Sequence, residues 1–104
     1  MSYSEGYDLI ITIVKKGFSE NVLQASREAG AEGGTIIFGR GAGIHESAKI
    51  LGIPIEPEKE IVMILSEKNS TDQIVEAIRT QMKIDEPGKG VLFILDVNKT
   101  YGLY

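Results

Sequence analysis

Four apolar segments of strand length alternate with two helical patterns along this chain, and their order restricts the possible folds. The strand segments are rich in β-branched residues and cover 7–14, 35–38, 60–65 and 91–95. Apolar residues at helical spacing predict helices over 19–29 and 70–83. The resulting order, β-α-β-β-α-β, is typical of the α+β ferredoxin-like sandwich, in which a four-stranded antiparallel sheet carries two helices on one face.

The predicted strands are apolar on both of their faces. Leu9, Ile11 and Ile13 alternate with Ile10 and Val14 in the first strand, and the last strand has the same pattern. Two helices on one side of the sheet leave the opposite side uncovered, and a large exposed apolar surface usually marks an association site. We therefore expect a homo-oligomer in which another subunit covers this face.

Length and composition indicate one domain over residues 1–104. The chain has 104 residues and 42% hydrophobic content, which is enough for one core and too little to suggest two. It contains no Cys and one His, which excludes a disulfide framework and argues against a structural zinc site.

Charge and hydropathy restrict the environment and the partners of the chain. The N-terminal sequence MSYSEGYD lacks the basic and apolar regions of a secretory signal, and no apolar run approaches the length of a membrane span. We therefore expect a cytoplasmic protein without membrane insertion. A net charge of −4 without a dense run of Lys and Arg argues against nucleic acid as a partner.

Local signals mark the ends of the predicted helices. Ser19 is a candidate N-cap for the first helix, and Gly30 stands where a helix commonly stops in a left-handed conformation. For the second helix, Ser70 and Gln73 have the spacing of a capping box. These signals predict helix starts at Ser19 and Ser70.

Two glycine-rich segments are candidates for anion binding. The run Gly39-Arg40-Gly41-Ala42-Gly43 follows the second predicted strand, and Pro87-Gly88-Lys89-Gly90 precedes the last one. Backbone amides without Cβ obstruction can hold an anion, while Arg and Lys side chains add charged donors. The alternative interpretation of each segment is an ordinary turn, in which Lys89 is a solvated side chain. The Walker spacing is absent.

The connection over 39–58 is unusually long for two strands that a short hairpin could join, and such connections are usually functional or disordered. Ile44, Ala48 and Leu51 have the spacing of one or two helical turns. His45 and Glu46 are the candidate acid and base of a small enzyme. The alternative interpretation of this pair is a polar, partly exposed loop without catalysis.

Three motifs in sequence order resemble the PII family of nitrogen-regulatory signalling proteins, and most closely its PII-like branch. They are AGAEGGTIIFGRGAG, KEIVMIL and DEPGKGVLFILDV, and the resemblance covers nearly the whole chain. It implies a homotrimer of ferredoxin-like subunits with inward-facing sheets, and an adenine nucleotide bound between neighbouring subunits. It also implies that 39–58 corresponds to the T-loop, which docks on a target such as a membrane transporter or a metabolic enzyme.

The same resemblance identifies the candidate nucleotide-binding residues. They are Thr35, Arg40, Gly41, Gly43, Lys59, Gly88, Lys89 and Gly90. The chain departs from the family pattern in three places. The 39–58 segment has no Tyr for uridylylation, Val91 replaces a basic residue, and the sequence after the last strand reads TYGLY where two arginines are usual. We therefore expect ADP, AMP or cyclic AMP to be as suitable as ATP, with or without Mg.

The resulting hypothesis is a non-catalytic sensor that signals through the 39–58 connection. Two alternatives belong to other classes. One is an oligomeric module that binds another small ligand or a metal ion in the same cleft, and the other is a small enzyme that uses His45 or Glu46.

Overall fold

The computed structural model describes residues 6–43 and 48–103, and it confirms the ferredoxin-like α+β fold. The elements are, in chain order, β1 Tyr7–Lys15, α1 Ser19–Glu28, β2 Thr35–Arg40, β3 Ala48–Ile50, β4 Ile53–Ile55, β5 Glu58–Glu67, α2 Lys68–Met82 and β6 Val91–Val97. The main sheet has the order β2-β5-β1-β6, and all its neighbouring strands are antiparallel. β3 and β4 pair with each other in a separate hairpin.

The core lies between the main sheet and the two helices. Alternate residues of the central strands face the helices, and the fully buried ones include Ile10 and Val14 of β1 and Val62 and Ile64 of β5. The helices contribute buried residues at helical spacing, namely Val22, Leu23, Ala25, Ile74 and Ile78. Burial of each large side chain contributes about 1.5–3 kcal/mol, so this layer holds the helices against the sheet.

The opposite face of the sheet is apolar and uncovered. Strand register aligns its side chains in rows: Ile11 lies between Met63 and Phe93, and the flanking rows are Ile61-Ile13-Val91 and Leu65-Leu9-Leu95. Phe93 is 41% exposed and Leu95 is 48% exposed. We call this surface the open face. The expected two-sided apolar strands are therefore present, and subunit association on this face stays a prediction.

The predicted capping roles of Ser19 and Ser70 are wrong, although the predicted start of the first helix at Ser19 is confirmed. α1 begins at Ser19 itself, its N-cap position is Phe18, and no side chain caps it locally. α2 begins at Lys68, before the predicted Ser70 capping box, and also has no side-chain cap. The Lys68 amide instead donates to the Gly6 carbonyl at 2.9 Å. Contacts with distant parts of the chain therefore set both helix starts.

The predicted helical turns around Ala48 and Leu51 are wrong. The described part of the 39–58 connection contains the β3–β4 hairpin, with Leu51 and Gly52 at its turn. Their φ values of 53° and 81° are those of a turn whose twist suits a two-residue hairpin. Ile44, His45 and Glu46 lie outside the described residues.

Candidate functional site

A cleft of about 420 Å³ lies at one end of the main sheet and is lined by residues from the end of β2, from β5 and β1, and from the loop before β6. Its wall combines basic, glycine and apolar residues, and these are Ile13, Arg40, Gly41, Ala42, Gly43, Lys59, Ile61, Gly88, Gly90 and Val91. We call it the first cleft. Residues of both glycine-rich segments that the sequence singles out line this cleft.

Register places the two basic residues of the first cleft on neighbouring strands. Arg40 pairs with Glu58 and Gly39 pairs with Lys59 at the shared end of β2 and β5. Backbone pairing between these two segments continues one residue beyond the strands, because the Gly41 amide donates to the Pro57 carbonyl at 3.1 Å. The sheet thus brings Arg40 and Lys59 to the same end of two neighbouring strands, beside the glycine-rich segment.

The other wall is the loop before β6, which rests on β1. Gly90 has φ 137°, and a Cβ atom there would lie 2.7 Å from the Ile13 carbonyl oxygen. This contact is too close for any other residue, so the fold alone requires Gly90. Gly41 differs, because a Cβ there would meet no atom within 4 Å. Its lack of a side chain leaves the backbone accessible from the cleft.

The structure brings together six of the eight predicted nucleotide-binding residues. Arg40, Gly41, Gly43, Lys59, Gly88 and Gly90 all line the first cleft. Thr35 lies on the open face, where it pairs with Met63 of β5. Lys89 lines a separate cleft on the other side of its loop. The sequence alone does not show on which side of the loop before β6 the Lys89 side chain lies.

Glu60 is an important residue next to the first cleft that the sequence analysis did not single out. Its side chain is 7% exposed, and one carboxylate oxygen accepts a hydrogen bond from the Ser19 amide at 2.9 Å. Hydrogen bonds from the Ser19 side chain and from the Ser19 and Gly17 amides lower the pKa of this carboxyl. A carboxylate also suits the positive end of a helix. Glu60 of β5 therefore caps α1, the role expected of Ser19.

A second charged cluster holds the start of α2 at the opposite end of β1. The Lys68 ammonium donates to Asp8 at 2.7 Å and also to Asp96. The Thr71 hydroxyl donates to the other Asp8 oxygen at 2.7 Å. Lys68, followed by Thr71, lowers the pKa of Asp8. This cluster joins α2 to β1 and β6, which explains the start of the helix at Lys68.

Two kinds of site are not found in residues 6–43 and 48–103. No three His, Cys, Asp or Glu side chains in these ranges could hold a metal ion together. None of the helices described there has the length and apolarity that a membrane crossing requires.

The fold and the first cleft together define a ferredoxin-like domain with a basic, glycine-lined cleft at the end of its sheet. Comparison with known proteins identifies the family. Residues 7–103 match the sequence model of the nitrogen regulatory protein P-II family, so the chain belongs to that family. The resemblance found in the motifs is thus confirmed, and the assignment to the PII-like branch stays a prediction.

The comparison of solved structures agrees with the fold. The chain is similar to Arabidopsis thaliana PII bound to citrate, with a TM-score of 0.69 and 21% sequence identity. The match covers 91% of this chain and 80% of the Arabidopsis chain. No curated protein sequence matches this chain significantly. At this identity, the structural similarity describes the fold.

Proposed function

We propose that this P-II family protein is a non-catalytic regulator that binds an adenine nucleotide in the first cleft. The observation that carries the proposal is that Arg40, Lys59 and the glycine-rich segments at 41–43 and 88–90 all line one cleft. Phosphate oxygens are matched by an arginine fork and an ammonium, and glycines let a ligand approach the backbone closely. A cleft of about 420 Å³ is within the usual range for small-molecule sites.

The apolar part of the first cleft supports binding between subunits. Ile13, Ile61 and Val91 line it and form one row of the open face. The cleft is therefore continuous with the surface on which we expect another subunit. A second copy packed on that surface would cover the cleft and give a purine an apolar enclosure. We propose a homotrimer, the assembly that the family resemblance implies.

The 39–58 connection is the proposed output of the regulator. It leaves β2 through Gly41 and Gly43 in the cleft wall and continues to the hairpin turn at Leu51, which is 96% exposed. A ligand at the glycines shifts the population of loop conformations to the extent that it binds them with different affinity. The proposed target is a membrane transporter or a metabolic enzyme, which this protein would reach from the cytoplasm.

Isothermal titration of the purified oligomer with ATP, ADP, AMP and cyclic AMP, with and without Mg, tests the proposal. We expect saturable binding of at least one nucleotide. Replacement of Arg40 by Ala removes charged hydrogen bonds of about 1.5–3 kcal/mol, so the Kd should rise about 10-fold or more. Arg27→Ala is the matched control, because Arg27 is exposed on α1 and lies outside the cleft.

Three outcomes of these titrations would contradict the proposed function. Absence of heat with all four nucleotides, or equal affinities in Arg40→Ala and Arg27→Ala, would contradict nucleotide binding at this cleft. Release of a product from any nucleotide would contradict the non-catalytic assignment and favour the enzyme alternative.

A polycarboxylate is the second candidate ligand for the first cleft. The observation that favours it is the same pair of cations, since Arg binds carboxylate and phosphate with the same fork geometry. The structurally similar Arabidopsis PII is bound to citrate. Citrate therefore belongs in the titration series, and citrate binding with no response to nucleotides would favour a module with another small ligand.

A further inference from the structure

A second cleft of about 290 Å³ lies behind the loop that separates it from the first cleft. It is bounded by the end of β1, the start of α1, the end of α2 and residues 88–89. We propose that this second cleft binds a small organic polyanion, a phosphate monoester or a polycarboxylate that also carries an apolar group. This site is separate from the proposed nucleotide site and does not depend on it.

The charge of the second cleft points to an anion. Lys15, Lys83 and Lys89 line it, and no acidic side chain does, although the whole chain has a net charge of −4. Within residues 6–43 and 48–103, none of these three side chains forms an ion pair. Three lysines without a carboxylate partner make the surroundings of this cleft positive, which favours a bound polyanion.

Carboxylates near the second cleft already have other partners. Glu58 pairs with Lys16 at 2.9 Å, and Asp85 pairs with Arg79 at 2.8 Å. Glu60 accepts the hydrogen bond from the Ser19 amide. These three carboxylates are therefore engaged with other groups, while Glu86, whose backbone bonds to those of Lys83 and Lys89, does not line the cleft.

The backbone of Lys83 is a second, independent observation. Lys83 ends α2 with φ 53°, a left-handed conformation that glycine usually occupies at this position because a Cβ is disfavoured there. Backbone strain of this kind accumulates at functional sites. The chain thus has a lysine at the cleft where glycine would suit the helix end better.

The apolar part of the wall explains why the ligand should be organic. Phe18 is 48% exposed and faces this cleft together with Met82. An aromatic ring and a thioether next to three cations suit a ligand with an apolar body and an anionic end. Inorganic phosphate would use only the lysines, so we expect it to bind more weakly than phenyl phosphate.

Titration of the oligomer with phenyl phosphate, phthalate and inorganic phosphate, followed by amide chemical shifts, tests the proposal. Comparison of the affinities for phenyl phosphate and phthalate shows whether the site prefers a phosphate monoester or a dicarboxylate. We expect saturable shifts at Phe18 and Lys83, and a Kd about fivefold or more higher in Lys83→Gly or Lys15→Ala, as loss of one ionic contact implies. Lys83→Gly suits the left-handed backbone, so the variant should fold at least as stably as the parent.

Arg40→Ala separates the two clefts, because it alters the first cleft only. Binding that survives Arg40→Ala and weakens in Lys83→Gly assigns the probe to the second cleft, whatever the outcome of the nucleotide titrations. Binding that is lost in Arg40→Ala and unchanged in Lys83→Gly would overturn the proposal. Failure of both organic probes to saturate the protein below about 10 mM would also overturn the proposal. A Kd of that size corresponds to a binding free energy of only about 3 kcal/mol.

Discussion

Replacement of Glu60 by Gln should destabilise the fold, because it removes the charge that caps α1 while keeping the shape of the side chain. The Glu60 carboxylate is nearly buried and accepts the Ser19 amide at 2.9 Å. Hydrogen bonds to charged groups contribute about 1.5–3 kcal/mol, and neutral ones contribute about 1 kcal/mol. The amide oxygen of Gln can replace the neutral part of this interaction. We therefore expect a loss of about 1–2 kcal/mol in the free energy of unfolding.

Urea unfolding at pH 7 and fixed protein concentration, followed by far-UV circular dichroism, measures this loss. Glu58→Gln is the matched control on the same strand. Its carboxylate pairs with Lys16 at 2.9 Å, and both side chains are more than half exposed. Because such exposed pairs contribute little, the control should unfold at nearly the same urea concentration as the parent.

The effect of Glu60 should depend on pH in a defined direction. Hydrogen bonds hold the pKa of Glu60 below its ordinary value in the folded protein. Its contribution is therefore complete above the ordinary glutamate pKa of about 4.3 and is lost as the pH falls through the lower folded value. The difference between parent and Glu60→Gln should shrink below about pH 4. An equal difference at pH 7 and pH 3, or a loss no larger than that of Glu58→Gln, would refute the capping role.

Two further substitutions test the loop before β6 and the open face. Gly90→Ala should lower the free energy of unfolding by about 3 kcal/mol, because it combines strain at φ 137° with a 2.7 Å approach of the new Cβ to the Ile13 carbonyl. Gly88→Ala is the control, and because its Cβ would lie in open space it should cost about 1 kcal/mol. Equal losses in urea unfolding would show that the loop does not rest on β1. Phe93→Asp, at the centre of the open face, should lower the molar mass measured by light scattering, and Phe38→Asp on the other side of the sheet should leave it unchanged. An unchanged mass in Phe93→Asp would exclude this face as the subunit interface.

The order of the main elements could be predicted from the sequence because the signals are local. Strands β1 and β6 are continuous β-branched and aromatic segments, and α1 and α2 have clear helical spacing. Gly30 indeed follows α1 with φ 108°. These features depend on neighbours within a few residues, which the sequence shows directly.

The hairpin within the 39–58 connection could not be predicted in the same way. Leu51 and Gly52 form its turn, and leucine is rare at the first position of such turns, where Asn or Asp is usual. The coincidental spacing of Ala48 and Leu51 favoured a helix instead. Short strands of three residues also give too few positions for an alternating pattern.

The details of the candidate site depend on contacts between distant residues. Glu60 and Ser19 are 41 positions apart, so no local rule identifies the carboxylate as the cap of α1. Lys89 follows Gly88 directly, yet only Gly88 lines both clefts. A glycine-rich motif predicts where the backbone can approach a ligand, but not the direction in which the next side chain extends.

The central position of β1 determines when the protein can fold during its synthesis. β1 pairs with β5 on one side and with β6 on the other, so Ile11 meets Phe93 only after nearly the whole sheet has been made. At translation rates of about 5–20 residues per second, the ribosome needs roughly 4–15 s to pass from the end of β1 to the start of β6. During that interval the side of β1 that pairs with β6 has no partner, and an unpaired strand edge favours aggregation. Survival of the nascent chain therefore depends on β5 and the helices covering one side of β1 before its last partner emerges.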